Sequence, residues 1–415
     1  MTVRRLGPKP LRILLSEGGS TSAREAVTLL GRGGHHVEVC DPAPWGLARF
    51  SRYVRAWHRC PGLRDDPQGY LAAVERLLDR GFDVLLPIHE QGYLFARVQC
   101  RFGGRTNIAL PSFASYRSAV SKTGFSRVLS EVGLPQPTTT IVYSADELRR
   151  VAMLPCVIKT AIGTASRGVW MVRDGAALER ALSELEVAGG FAGEVLLQAL
   201  IAGFTEKAQG VFCRGELVGF HAYRQIAEGA GGGDAIKRSV RRDGIRAGLA
   251  RIGRHLGWHG ALSVDCIMPD DGSGPFYIDC NPRLVEPMAA ALAGTDLIDL
   301  LLQVSLGETP AAVPDGHADV VTHQAMQVLL GCALRGGTRR DLIRLCRDLV
   351  LRRGAFAGSV EELTPVRLDM LSAIPLAMTA LLLLISPKLA EGLARRGWGA
   401  HLLNRRSIAL IERIG

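Results

Sequence analysis

The stretch Gly260–Glu286, GALSVDCIMPDDGSGPFYIDCNPRLVE, constrains the fold more tightly than any other part of this 415-residue chain. Two short runs rich in β-formers, Leu262–Met268 and Phe276–Cys280, flank Pro269-Asp270-Asp271-Gly272-Ser273-Gly274, a turn sequence that signals a hairpin. Asp265 lies on the first strand, Asp279 and Asn281 at the end of the second, and Arg283 just beyond. Two carboxylates and an amide meeting from adjacent strands suit a hard divalent cation, which completes its shell with phosphate and water. An ordinary hairpin with acidic ends is the other reading, and the upstream chain decides between them.

The first hundred residues alternate strand and helix. Strands are expected at Leu11–Ser16, Val37–Cys40, Asp83–Pro87 and Asn107–Leu110, with helices over Ala23–Leu30, Tyr70–Asp79 and Gln91–Phe102 between them. Such alternation predicts a parallel sheet covered by helices. The turn Glu17-Gly18-Gly19-Ser20 lacks both GxGxxG and GxxxxGK[ST], so neither phosphate fingerprint is present. His89 and Glu90 follow the third strand, at the sheet edge where ligands of such folds bind, and are substrate-contact candidates.

Next, Pro111–Ser121 reads as a linker and Lys122–Val132 as an amphipathic helix. Strand Cys156–Lys159 ends in a lysine, the loop Gly163-Thr164-Ala165-Ser166-Arg167-Gly168 follows, and Val169–Val172 returns. A small loop rich in backbone N–H and hydroxyl donors can fold over phosphates. Strand Glu194–Gln198 leads through Ala199-Leu200-Ile201-Ala202-Gly203 to Glu206 and two further strands. Residues 229–239 are glycine-rich and read as a mobile loop whose Lys237 and Arg238, with Arg224 upstream, reach an anionic substrate or simply face water.

This order of pieces resembles the ATP-grasp superfamily, in particular its carboxylate–amine ligase and carbamoyl-phosphate-synthase-like branch, over residues 11–308. The resemblance implies that Lys122 and Lys159 touch the ATP phosphates. It makes the Gly163–Gly168 loop, with Thr164, Ser166 and Arg167, the lid over the triphosphate. It gives the adenine to the hinge backbone of Gln198, Ala199, Leu200 and Ala202, and the ribose to Glu206. Asp265, Asp279 and Asn281 become Mg²⁺ ligands (Mn²⁺ suits the same oxygens), and Arg283 steadies the transferring phosphate, with Lys159 as its catalytic companion. Two positions depart from the family pattern: Ala199 stands where a glutamate is common, and Asp279 where glutamate is usual.

The architecture implied is α/β with α+β character. A Rossmann-like parallel-sheet domain spans 1–112, and a two-lobed ATP-grasp domain spans 113–310 with its lid subdomain at about 155–198. A helical C-terminal region completes the chain at 311–415. The implied activity is an ATP- and Mg²⁺-dependent ligase that activates a small-molecule carboxylate as an acyl phosphate and joins it to an amine. A bicarbonate-phosphorylating enzyme and a non-catalytic nucleotide-binding membrane scaffold are the alternatives.

Composition narrows the setting. The nine cysteines form no CxxC pair and several sit within apolar runs, so buried thiols in a reducing, cytoplasmic compartment are expected. No apolar segment precedes the first strand, so no secretory signal is expected. The charge of +10 is concentrated at the end: Leu334–Gly415 holds 14 Arg/Lys against 7 Asp/Glu, a surplus of 7. Arg339–Arg353 reads as a basic amphipathic helix, and Leu371–Ser386 has no charged residue but contains Pro375. That run is shorter than the roughly 20 residues a spanning helix needs. It suits an interfacial segment at the inner membrane face, a buried core helix or an oligomer contact, and Arg395, Arg396, Arg405, Arg406 and Arg413 suit lipid phosphates. The basic residues lack interleaved aromatics for base stacking, so nucleic acid is not an expected partner.

Overall fold

A computed structural model describes residues 9–163, 168–395 and 399–414. Three sheets organise it. The first is parallel, in the order β3-β2-β1-β4, from β1 (Arg12–Leu15), β2 (His36–Cys40), β3 (Val54–His58) and β4 (Val84–Leu86). Helices Thr21–Arg32, Pro67–Leu78 and Gln91–Arg97 connect and cover it. Ser20 and Asp66 cap the first two with side-chain oxygens, which satisfies amides that a helix start leaves open. Two expectations change here. Asn107–Leu110 contributes only a single parallel bridge, Asn107 to Val84. The unanticipated strand Val54–His58 forms the opposite edge, where its backbone pairs with β2 although its side chains remain half-exposed.

The second sheet is small and antiparallel, in the order β5-β8-β6-β7, from β5 (Thr139–Val142), β6 (Cys156–Thr160), β7 (Val169–Val172) and β8 (Val195–Ala199). Helix Gly175–Val187 packs on it through Leu178, Leu182 and Leu185. The expected linker 111–121 instead holds helix Phe113–Val120, capped by Ser112, and Lys122 opens the next helix, Lys122–Glu131.

The third sheet has seven strands in the order β13-β12-β9-β10-β11-β14-β15. These are β9 (Phe204–Cys213), β10 (Glu216–Glu228), β11 (Asp234–Val240), β12 (Gly260–Met268), β13 (Phe276–Asn281), β14 (Val321–His323) and β15 (Val360–Glu361). The expected mobile loop at 229–239 is therefore corrected: its last six residues lie in β11, hydrogen-bonded to β10 on one side and β14 on the other. Pairing with two strands overrides the local signal of the preceding glycines. One face of this sheet carries Ala208, Phe212, Phe220, Ala222 and Val264 against helix Asp243–His255. The alternate residues face the other way, where Val211 meets Leu297 and Leu301 of helix Leu297–Ser305. The C-terminal region supplies β14 and β15 as well as helices, among them Ala325–Leu334, Arg339–Leu351, Ala373–Ile385 and Arg405–Glu412.

Candidate active site

In the β12–β13 hairpin, Asp265 stands directly opposite Asp279, and Ser263 opposite Asn281. With a side-chain period of two, Asp279 and Asn281 share a face with Asp265. Lys122, at the start of its helix, donates to Asp279 Oδ2 at 2.6 Å. Lys159, at the end of β6 in the small sheet, donates to the Ile278 carbonyl at 2.8 Å. Two lysines from separate elements thus close on one hairpin, beside Asp265 and Asp279.

Electrostatics sharpen the picture. Burial would raise the Asp279 carboxyl, but Lys122 and Lys159 overcome that and hold it below its usual range. Burial pushes Asp265 up to about 6, with Asp279 adding to the rise and Lys207 opposing it. Burial brings Lys159 down to about 8, with Asp279 opposing and Lys122 assisting. Asp279 keeps 30% of its side-chain surface exposed. Oδ1 of Asp265 is buried with no hydrogen-bond partner among the described residues. A buried carboxylate oxygen left without a donor is costly unless a cation takes it. The hairpin oxygens therefore fit a hard divalent ion. Asn281 Oδ1 is 3.4 Å from Arg283 Nη2, so the guanidinium is tethered beside the same oxygens.

The hinge crosses from the small sheet to the large one. Gln198 is buried and donates to Thr139 Oγ1 at 3.1 Å, the Ala199 amide donates to Thr138 O, and the Leu200 amide to Pro155 O. Ala202 is exposed beyond them. Gly163 and Gly168 bound the expected lid loop, while Thr164, Ser166 and Arg167 lie outside the described residues. Gly168 has φ +72, and an added Cβ would meet Thr160 Oγ1 at 2.2 Å, so this turn admits no side chain.

Four candidates sit elsewhere than expected. Glu206 pairs across the sheet with Arg224 and Cys266, on the face opposite to Lys207 and Asp265. Fully buried, it accepts from Arg242 at 2.7 and 2.8 Å and from Arg224 at 3.1 Å. Its carboxylate is thus engaged by arginines, and Arg224 with it. Arg238 is exposed on that same back face, lining with Arg224, Arg241 and Arg242 a cavity of about 350 Å³. Two of those guanidiniums, Arg224 and Arg242, are held by Glu206. Lys237 is buried on the hairpin's face and donates to Glu286 at 2.8 Å and Glu362 at 2.5 Å, so it does not reach toward a ligand from a loop.

His89 and Glu90 do lie beyond β4, but the C-terminal segment covers them. The Leu403 amide donates to Glu90 Oε2, and buried His401 stacks edge-on against Tyr70 at 5.5 Å. Burial drives His89 well below the usual imidazole range, with Arg283 and His401 adding to the effect. Arg405, expected near lipid, donates instead to the Gly189 and Gly190 carbonyls of the small-sheet domain.

Several residues were not anticipated from sequence. Lys207, cross-strand neighbour of Asp265, donates to Asp234 at 2.8 Å, and Tyr223 donates to the same oxygen at 2.9 Å. Beside them, Glu25 from helix Thr21–Arg32, Glu286, and Glu362 from the C-terminal region converge within 4.8 Å of one another, all buried. Gln324 bridges Glu25 at 3.0 Å and Glu286 at 2.7 Å. No local pattern flags this cluster, because its members come from four distant segments.

No family model and no curated protein matches the sequence. Solved structures do match the fold. N5-carboxyaminoimidazole synthetase from Staphylococcus aureus, complexed with ADP, superposes with a TM-score of 0.63 at 13% identity, over 83% of this chain and 87% of that one. The biotin carboxylase domain of 2-oxoglutarate carboxylase from Hydrogenobacter thermophilus, solved as a dimer with MgADP and bicarbonate, gives 0.60 at 16% identity, over 76% and 74%. L-amino acid ligase from Bacillus licheniformis gives 0.57 at 15%, over 73% and 76%.

Proposed function

We propose, from the ATP-grasp fold that these likenesses establish, that the chain is an ATP-dependent carboxylate–amine ligase. The observation that carries this reading is the closure of Lys122 and Lys159, from two different elements, on the Asp265–Asp279 pair. A free carboxylate resists attack by an amine because oxide is a poor leaving group. Transfer of the γ-phosphoryl group to a carboxylate oxygen, with departure of ADP, gives an acyl phosphate. The amine nitrogen then attacks the acyl carbon, phosphate leaves, and a proton is lost from nitrogen. The first step asks for positioning and charge neutralisation more than covalent help.

Lys159 and Lys122 supply cations to the phosphates, and tethered Arg283 supplies a fixed one on the acceptor side. Asp265, Asp279 and Asn281 would hold Mg²⁺, or Mn²⁺ in its place, which when bound neutralises phosphate charge. The hinge of Gln198, Ala199, Leu200 and Ala202 receives the adenine, and the segment between Gly163 and Gly168 is the one that the resemblance gives to the triphosphate. Substrates are small molecules, and no nucleic acid is assigned. The reading places the enzyme in the cytoplasm, in peripheral contact with the inner membrane face. It is tested by measuring ADP and phosphate release with mixtures of carboxylates and amines. Release that needs both partners is expected. ATP binding with no turnover in any mixture would sink the proposal, and turnover stimulated by bicarbonate alone would replace it with the carboxylase-like reading.

A further inference from the structure

We propose that helix Ala373–Ile385 seats the chain flat on an anionic lipid surface. It rests on the peripheral membrane contact of the proposed function and names the segment that makes it, and it does not depend on the ligase chemistry. The helix has 13 residues, none of them charged. One side packs inward: Leu383 joins Leu329 and Leu330 of helix Ala325–Leu334, with Pro375 and Thr379 buried on the same row. The other side is bare. Met370, Ile374, Met378, Leu381, Ile385 and Leu389 recur at intervals of three and four, and all are exposed, Met370 at 79% and Leu381 at 61%. Single exposed apolar residues are ordinary, but Ile374, Met378, Leu381 and Ile385 line one side of the helix, with Met370 and Leu389 in the turns at its two ends, and such a row marks a contact surface. A helix apolar on every side is normally buried on every side.

Charge chooses the occupant. Arg367 precedes the stripe, Lys388 falls within its far end, and both are exposed. The Arg339 guanidinium donates to the carbonyl of Ile385 itself. The adjoining helix Arg339–Leu351 exposes Arg340, Arg344 and Arg347 along with Ile343 and Val350. An apolar row bracketed by arginines matches the boundary between acyl chains and anionic headgroups, with long cationic side chains reaching outward to phosphate. A second copy would bring its own arginines against these, and like charges disfavour that pairing. Spanning is excluded by length, since 13 residues at about 1.5 Å each reach some 20 Å against about 30 Å of hydrocarbon. Among the described residues no helix is long and apolar enough to cross.

The test is sedimentation of the full chain with phosphatidylcholine vesicles, with and without about one-third phosphatidylglycerol. Binding at least about 10-fold tighter to the anionic vesicles, weakened by about 0.5 M salt, is expected. The double variant Met378→Glu, Leu381→Glu should lose about 10-fold or more of that binding, because both charges would enter the headgroup boundary. Val187→Glu, at an apolar residue 89% exposed on a different helix, should bind as the parent does. Absence of vesicle binding in the parent overturns the proposal. So does light scattering that shows a dimer which the double variant dissociates, because the stripe is then a self-contact.

Discussion

Two lysine–carboxylate clusters share one face of the seven-stranded sheet, and they are built oppositely. At the hairpin, Asp279 is 30% exposed and Asp265 keeps an oxygen without a donor. At the second cluster, Lys237 and Glu362 are 1% and 0% exposed, and Lys237 and Gln324 are shared among three carboxylates. The first leaves charge for a ligand. The second is wholly buried, although Oε1 of Glu362 also lacks a donor among the described residues, and it joins helix Thr21–Arg32, the sheet and the C-terminal region in one contact. On the proposed reading a like arrangement of residue types serves chemistry in one place and assembly in the other, and exposure separates them.

The comparison breaks most visibly at Asp279. Asp279→Asn removes the negative charge that the proposed metal site and Lys122 depend on, and ATP turnover should fall by about 10³-fold or more, since several kcal/mol of transition-state charge stabilisation is lost. Steady-state ADP release checks this, with circular dichroism confirming that the fold persists. Lys237→Met should act on stability instead. It strands Glu286 and Glu362 without their cation, at a cost of about 3–5 kcal/mol read from the urea midpoint. A Lys237→Met protein with unchanged midpoint would show that the buried cluster holds nothing together.

The open cluster also predicts a pH profile. Asp265, raised to about 6, must lose its proton to bind a cation, so kcat/KM for ATP should fall as pH drops through about 6. Lys159, lowered to about 8, is cationic only below that value, so kcat/KM should fall again as pH rises through about 8. Each limb should approach about 10-fold per pH unit, and Lys159→Arg should abolish the alkaline limb because arginine stays charged. A flat profile from 5 to 9 would remove both groups from the phosphate site.

These clusters also show what a sequence can and cannot say. Asp265, Asp279 and Asn281 were legible because strand period and turn chemistry place them together within one hairpin. Lys122 and Lys159 became legible only through the order of elements around them. Glu25 was not, since its partner amide, Met288, lies 263 residues away. Lys237 was misread because the glycines before it signal a loop, whereas long-range pairing with β10 and β14 makes the strand. Strands β14 and β15, of three and two residues, are too short to carry any periodicity.

Glu206 offers the finest cut between the two kinds of cluster. The resemblance gives it to the ribose, yet strand alternation puts Lys207 on the hairpin's face and Glu206 behind it, between Arg224 and Arg242. If burial with arginines defines its role, Glu206→Gln leaves two guanidiniums short of a counter-charge and should cost about 1–3 kcal/mol of stability. The KM for ATP should then move by less than about 2-fold, because uniform binding energy is lost only when a contact to the nucleotide is lost. A KM that rises about 10-fold with the urea midpoint unchanged would instead return Glu206 to the ribose. In that case the nucleotide lies on the face that Glu206 shares with Arg224 and Arg242, since β9 is paired on both sides and its side chains cannot change face.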